Sequence, residues 1–204
     1  MKEVSILKQL EHDQQKHAYV LFAMGHKLAL DKCSFYLVEF IRDKLEHRIK
    51  YIQELPGELK LREGYDMELK TIKRLQPFTA HRTLGMWVAV DGNNRKQLEV
   101  LHKKIDAWCD KIRTRYLSSE NTLKAYQGYL EPGLRYALSM TSYTYDECEK
   151  MCKKFAPILL NAIGIQRNCA RSVLYAPQRY GGYGIRHLYH VQGLEKNQLY
   201  VYAL

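Results

Sequence analysis

Apolar and polar positions change rhythm once along this chain, near Asn93. Between Val4 and Leu28, Ile6, Leu7, Leu10, Tyr19, Leu21, Phe22 and Met24 recur at loosely helical spacing and stop near Gly25, a residue favoured just past helix ends. This predicts one helix. Residues 33–41 form a short run rich in aromatic and branched side chains and read as a strand buried on both faces. From Arg42 to Pro77 charges alternate with single apolar residues, as in Glu58-Leu59-Lys60-Leu61-Arg62, around the Pro56-Gly57 turn signal, so edge strands and loops are expected. Residues 82–90 read as one further strand running into the turn at Asp91-Gly92-Asn93.

Beyond Asn93 the spacing becomes helical. Leu98, Leu101, Ile105, Trp108 and Ile112 mark one apolar face, and Lys96, Lys103, Lys104, Lys111 and Arg115 are expected on the other side, as a basic stripe. Ser118 or Ser119 can cap a second helix carrying Leu123, Tyr126, Leu130 and Leu134, which Pro132, lacking a donor, should kink or break. Thr144-Tyr145-Asp146-Glu147 has the pattern of a capping box. It opens a third helix, with Cys148, Met151, Cys152, Phe155, Leu159 and Ala162 inward and Gly164 at its end. A short last helix is expected from His190 onward. The fold class is therefore α+β: an N-terminal helix with a small antiparallel sheet over residues 1–93, then a mostly helical bundle over residues 94–204.

No run approaches the roughly 18 to 20 apolar residues of a membrane span, and the first residues open no signal peptide. Five cysteines, an odd number, fit reduced thiols better than a disulfide framework. An intracellular protein is expected, with nucleus and cytoplasm not distinguished. The net charge of +10 favours phosphate backbones or anionic surfaces. Before Asn94 there are 15 Lys/Arg against 13 Asp/Glu and after it 17 against 9, so +8 of the surplus lies in the helical part.

Nucleotide polymerisation needs carboxylates holding two divalent ions, and the chain has no Asp-Asp pair; Glu39 and Asp91 are isolated from each other in the pattern. Cys148 and Cys152 are one helical turn apart, but nothing completes a four-ligand zinc set, and their place on an apolar face reads as core. Gly181-Gly182-Tyr183-Gly184 lacks the Lys-Ser/Thr of a phosphate-binding loop and reads as a turn. No catalytic residue and no cofactor or metal site is assigned. Basic residues interleave with aromatics from Lys111 to Tyr116, with Arg113 and Arg115, and from Arg167 through Arg171 to Tyr183. Such a mixture supplies cations for phosphates and flat faces for bases. The same residues also suit a plainly solvated surface, and the residues alone leave both readings open.

Met24-Gly25-His26-Lys27-Leu28-Ala29-Leu30-Asp31-Lys32-Cys33 resembles the Thr-Gly-Gly-x-Leu-x-x-x-Lys-Cys segment of non-LTR retroelement reverse transcriptases, departing from it at Met24 and His26. Arg82-Thr83-Leu84-Gly85-Met86-Trp87 resembles their primer-grip strand. Tyr129-Leu130-Glu131-Pro132-Gly133-Leu134-Arg135-Tyr136, Val173-Leu174-Tyr175-Ala176-Pro177 and Tyr180-Gly181-Gly182-Tyr183-Gly184-Ile185 look like the thumb of such enzymes in protist and fungal genomes. The motifs stand in the family's order over nearly the whole chain.

The resemblance implies an RNA-directed DNA polymerase using magnesium, of which this chain would carry the end of the palm and the thumb. The catalytic carboxylates would lie ahead of it, on a palm and fingers portion that becomes a candidate partner. Thr83, Leu84 and Gly85 would be primer-grip residues; Lys96, Lys103, Lys104, Lys111, Arg113, Arg115, Arg167 and Arg171 would hold an RNA–DNA or DNA duplex by its backbone. The alternative is a remnant or domesticated helical module that acts only as a protein-interaction surface.

Overall fold

The computed structural model describes residues 2–42, 47–63, 68–166 and 168–202. The backbone separates into two compact units: residues 1–81 with 89–93, and residues 82–88 with 94–204. The fold is α+β, with short strand pairs confined to the N-terminal part and the 82–88 hairpin.

The first unit begins with α1 (Lys2–Ala23), which ends before Gly25 at φ +81°, the left-handed conformation that makes glycine suitable there. The run at 33–41 is not one strand. It divides into β1 (Ser34–Phe35) and β2 (Phe40–Arg42), and only Phe35 within it is buried. β1 pairs in parallel with β6 (Lys73–Arg74), while β2 pairs antiparallel with β3 (His47–Ile49). The two halves of the run thus face different partners. β4 (Lys60–Leu61) and β5 (Lys70–Thr71) form a second antiparallel pair.

Between these pairs lies a small core of Leu30, Phe35, Leu59, Leu61 and Ile72, with Leu7 of α1 and Leu37 packed against it. One polar device joins α1 to β4: the Gln15 side chain donates to Arg62 O at 3.1 Å and accepts from Arg62 N–H at 2.8 Å. Gln15 thereby acts as a strand neighbour for a backbone edge that would otherwise stay open.

In the second unit, the expected strand at 82–90 is a hairpin, β7 (His81–Thr83) and β8 (Met86–Val88), turning at Leu84 and Gly85. Both turn residues have positive φ, +50° and +85°, as a type I′ hairpin turn requires at its two centres. The unit then runs through α2 (Arg95–Thr114), α3 (Ser119–Ala125), a π-helical turn (Tyr126–Leu130), α4 (Glu131–Met140), α5 (Tyr145–Ala162), α6 (Arg171–Tyr175) and α7 (Leu188–Tyr202).

Ser118 caps α3 by accepting from Asn121 N–H, and the capping box of Thr144 and Glu147 is formed at α5. Pro132 does not break its helix. The segment ahead of it widens into the π turn, where Glu131 N–H donates to Tyr126 O five residues back, and the proline sits in the first turn of α4. A proline costs little there because no donor is needed from it.

Leu101, Ile105, Trp108, Tyr126, Leu130, Leu134, Leu138, Met151, Phe155 and Leu159 belong to one continuous core of the unit, with Met86 from the hairpin and Leu188 and Val191 from α7. Tyr126 stacks on Phe155 and meets Trp108 edge-on. Cys148 and Cys152 lie in this core, where burial pushes their thiols up to about 12 and about 11, so both stay protonated and pack as small apolar groups. α7 spans 15 residues and starts ahead of His190, longer than the short helix expected, because its first turns are anchored by Leu188, Val191 and Gln192.

Candidate nucleic-acid interface

α2 carries most of the sequence-assigned cations, and its packing sorts them. Its buried side is Gln97, Leu101, Ile105, Trp108, Cys109 and Ile112. At about 100° per residue, Lys104, Lys111 and Arg115 fall beside one edge of that side and Arg113 beside the other, with Lys96 and Lys103 further out. Lys96 and Lys103 therefore project opposite the apolar side, as expected, whereas Lys104 and Lys111 border it and lie against the π turn and α4. Lys111 Nζ lies 5.8 Å from the Tyr129 ring centre, and the end of the Lys104 side chain lies over Gly133, where an added Cβ would push it aside. At about 1.5 Å per residue, Lys103 and Lys111 are about 12 Å apart along the axis.

Lys103, Lys104, Lys111 and Arg115 make no ion pair with any described residue. Several other cations of the unit do. Lys96 reaches Glu99 at 3.2 Å and lies over Trp87, and Arg113 reaches Asp110 at 3.6 Å. Lys154 bonds Asp106 across from α5 at 2.8 Å, and Arg171 reaches Glu149 at 3.4 Å. The structure thus leaves four of the eight assigned cations without an acidic partner, Lys104, Lys111 and Arg115 along one edge and Lys103 on the outer face, and places Lys96, Arg113 and Arg171 with acids. Arg167 lies outside the described residues.

Thr83, Leu84 and Gly85 form the hairpin tip. Leu84 is 84% exposed, and its carbonyl accepts from the Tyr136 hydroxyl at 2.8 Å. Gln97, buried on α2, accepts from Trp87 N–H at 2.9 Å and ties the hairpin to the helix that carries the cations. Two exposed tyrosines complete the surroundings: Tyr129 beside Lys111, and Tyr116 just past Arg115.

A second polar arrangement centres on His187. Tyr189 N–H donates to its Nδ1 at 3.2 Å, so Nε2 carries the proton and donates to Glu149 at 2.9 Å. That bond, aided by Arg171 and Lys153, holds the Glu149 carboxyl below its usual range. Tyr145 stacks on the buried imidazole at 5.0 Å. The cluster staples α5 to the start of α7.

The turn reading of Gly181-Gly182-Tyr183-Gly184 holds. Gly181 and Gly184 have φ of +80° and +68°, and a Cβ on Gly182 would overlap the Ala176 carbonyl. Gly184 N–H in turn donates to Ala176 O at 2.9 Å, and Ile185 N–H to Leu174 O at 3.1 Å. Among the described residues no group of three or more His, Cys, Asp or Glu could hold a metal ion, and no helix is long and apolar enough to cross a membrane. Neither a family model, nor a curated protein, nor a solved structure matches the chain.

Proposed function

We propose that the helical unit holds a nucleic-acid duplex by its backbone, as the thumb of an RNA-directed DNA polymerase does, and serves positioning rather than chemistry. The observation that carries this reading is that Lys104 and Lys111 on one edge of α2, Arg115 just past its end and Lys103 on its outer face have no acidic partner among the described residues, while Lys96, Arg113, Lys154 and Arg171 do. Cations without intramolecular partners keep their full charge for phosphates, and contacts of this kind position a duplex without reading its sequence. The Thr83-Leu84-Gly85 tip fits a primer-grip role in the same reading, since it presents backbone and one aliphatic side chain to the outside.

The test is affinity for an RNA–DNA hybrid as a function of salt. Binding should weaken steeply with salt, and joint replacement of Lys103, Lys104 and Lys111 by Ala should lower the slope of log affinity against log salt by about 2 to 3. The same change at Lys153 and Lys154 should leave it nearly unaltered. Affinity that stays flat with salt would refute the reading.

A second reading, a protein-interaction module, draws on the end of α7, where Leu199, Tyr200, Val201 and Tyr202 are all exposed. Contiguous apolar surface of this kind favours association. Sedimentation of the chain across concentrations separates the two: a monomer throughout counts against it.

A further inference from the structure

A cleft of about 390 Å³ lies in the helical unit, with none of the α2 cations in its lining, at the small end of the roughly 300–1,000 Å³ typical of ligand pockets. Gln127 of the π turn and Glu131 at the start of α4 form one wall. Tyr175, Pro177, Gln178 and Arg186 form the others, with Gly184. The glycine turn holds this second side in place: Gly182 N–H donates to Pro177 O at 3.3 Å, and the Gly184 backbone packs against the Gln178 stem. π turns inside helices are frequent at functional sites, and Gln127 of this one lines the cleft.

What marks the cleft is that its polar groups are uncommitted. Glu131, Arg186, Gln127, Gln178 and the Tyr175 hydroxyl make no side-chain hydrogen bond or ion pair with any described residue. A carboxylate and a guanidinium line the same hollow without joining. Elsewhere in the unit a guanidinium and a carboxylate do join, as Arg135 and Glu195 do. A ligand that satisfies both must offer donors to one side and acceptors to the other, and be flat enough to lie against Tyr175 and Pro177.

We propose that this cleft binds a guanine base. Guanine presents two adjacent donors, N1–H and the N2 amine, to a carboxylate, and two adjacent acceptors, O6 and N7, to a guanidinium. Glu131 takes the first edge and Arg186 the second, both as charge-assisted bidentate pairs. Tyr175 and Pro177 supply the flat contact, and the carboxamides of Gln127 and Gln178 serve the sugar hydroxyls. Adenine has one donor and one acceptor where Glu131 needs two donors, and leaves a carboxylate oxygen unmatched. Burial pushes the Tyr175 phenol up, so it remains a donor.

The experiment is calorimetric titration of the full chain with guanosine, adenosine, cytidine and uridine, nucleosides being used so that phosphate charge plays no part. Guanosine should bind at least about tenfold more tightly than the other three, the discrimination expected of one bidentate pair. Glu131→Gln, nearly isosteric, should abolish that preference, and Arg186→Gln should weaken guanosine comparably, with far-ultraviolet circular dichroism unchanged in both. Equal affinity for the four nucleosides, binding of none, or a preference that survives Glu131→Gln would overturn the proposal. A short oligothymidine strand with and without one central guanine identifies the source. A gain from the guanine that exceeds free guanosine assigns a strand base, and no gain beyond guanosine assigns a free nucleotide. Duplex binding through α2 fails or survives independently, since Lys103→Ala/Lys104→Ala/Lys111→Ala should leave guanosine affinity intact.

Discussion

The two units are built from the same chain on different terms. The first is held by two-stranded pairs of two or three residues each, around a small core of Leu30, Phe35, Leu59, Leu61 and Ile72. The second closes its helices around a core that runs without interruption from Met86 to Val191. Isolated strand pairs are marginal in water, whereas helices that share a wide apolar face support one another. The difference teaches that the second unit supplies the rigid frame, and it is the unit that carries both the unpaired cations and the polar cleft.

The largest expected effect tests that contrast directly. Leu134→Ala, in a fully buried position of the helical core, should cost about 2–5 kcal/mol. Trp87 and Trp108 both belong to the second unit, so urea unfolding followed by tryptophan fluorescence reads that loss alone. The wild-type midpoint by this probe should exceed the one at which the amides of β1 to β6 lose protection. If the strand pairs proved the more persistent, the frame would have to be assigned to the first unit.

Gly182→Ala should come next. Its Cβ would meet backbone at Ala176, which cannot swing aside as a side chain could, and overpacking of this kind costs about 1–3 kcal/mol. The melt should fall, and guanosine affinity should fall with it because the turn holds Pro177 and Gln178. By contrast Gly57→Ala in the first unit meets only the flexible ends of Leu7 and Leu37, and should cost less.

Thr144→Ala removes the capping box of α5, worth about 1 kcal/mol, measurable as a lower fluorescence midpoint. The smallest effect concerns acid. Glu54 is lowered to about 2 by hydrogen bonds from Arg48 and from Tyr51 N–H. A carboxyl depressed in the folded state stabilises above its usual range, and that contribution is lost as pH falls from about 4.5 toward 2. The pair is exposed, so acidification should loosen β2 and β3 only slightly, and Glu54→Gln should remove the pH response seen by amide exchange in that hairpin.

Much of the helical unit was legible in advance because its signals are local. Apolar spacing fixed α2 and α5, and the Thr144–Glu147 box and the Ser118 cap need only neighbours three residues away. The first unit was less legible. Residues 33–41 have strand composition, yet whether they form one strand or two depends on partners at 47–49 and 73–74 that periodicity does not name.

The polar clamps escaped sequence reasoning altogether. Gln15 on Arg62, Gln97 on Trp87 and Gln192 on Tyr143 each satisfy backbone groups far along the chain, and a glutamine in an apolar stripe gives no hint of its partner. The cleft is of the same kind, since Glu131 and Arg186 are unremarkable until α4 and the loop before α7 face each other.

The sequence by itself determined that this is an α+β chain with its positive surplus in a helical C-terminal part, that α5 begins at a capping box, and that Gly181 to Gly184 turn. Those features follow from residue type and spacing over a few positions. Only the tertiary structure decided that residues 82–88 are a hairpin and that Pro132 is absorbed by a π turn. It also decided which cations stay unpaired and that a carboxylate and a guanidinium share a cleft without touching. The shared cleft depends on what a distant segment places nearby, which no local pattern encodes. The hairpin and the π turn are short-range, but rest on backbone conformations at Leu84-Gly85 and Tyr126–Leu130 that apolar spacing does not specify.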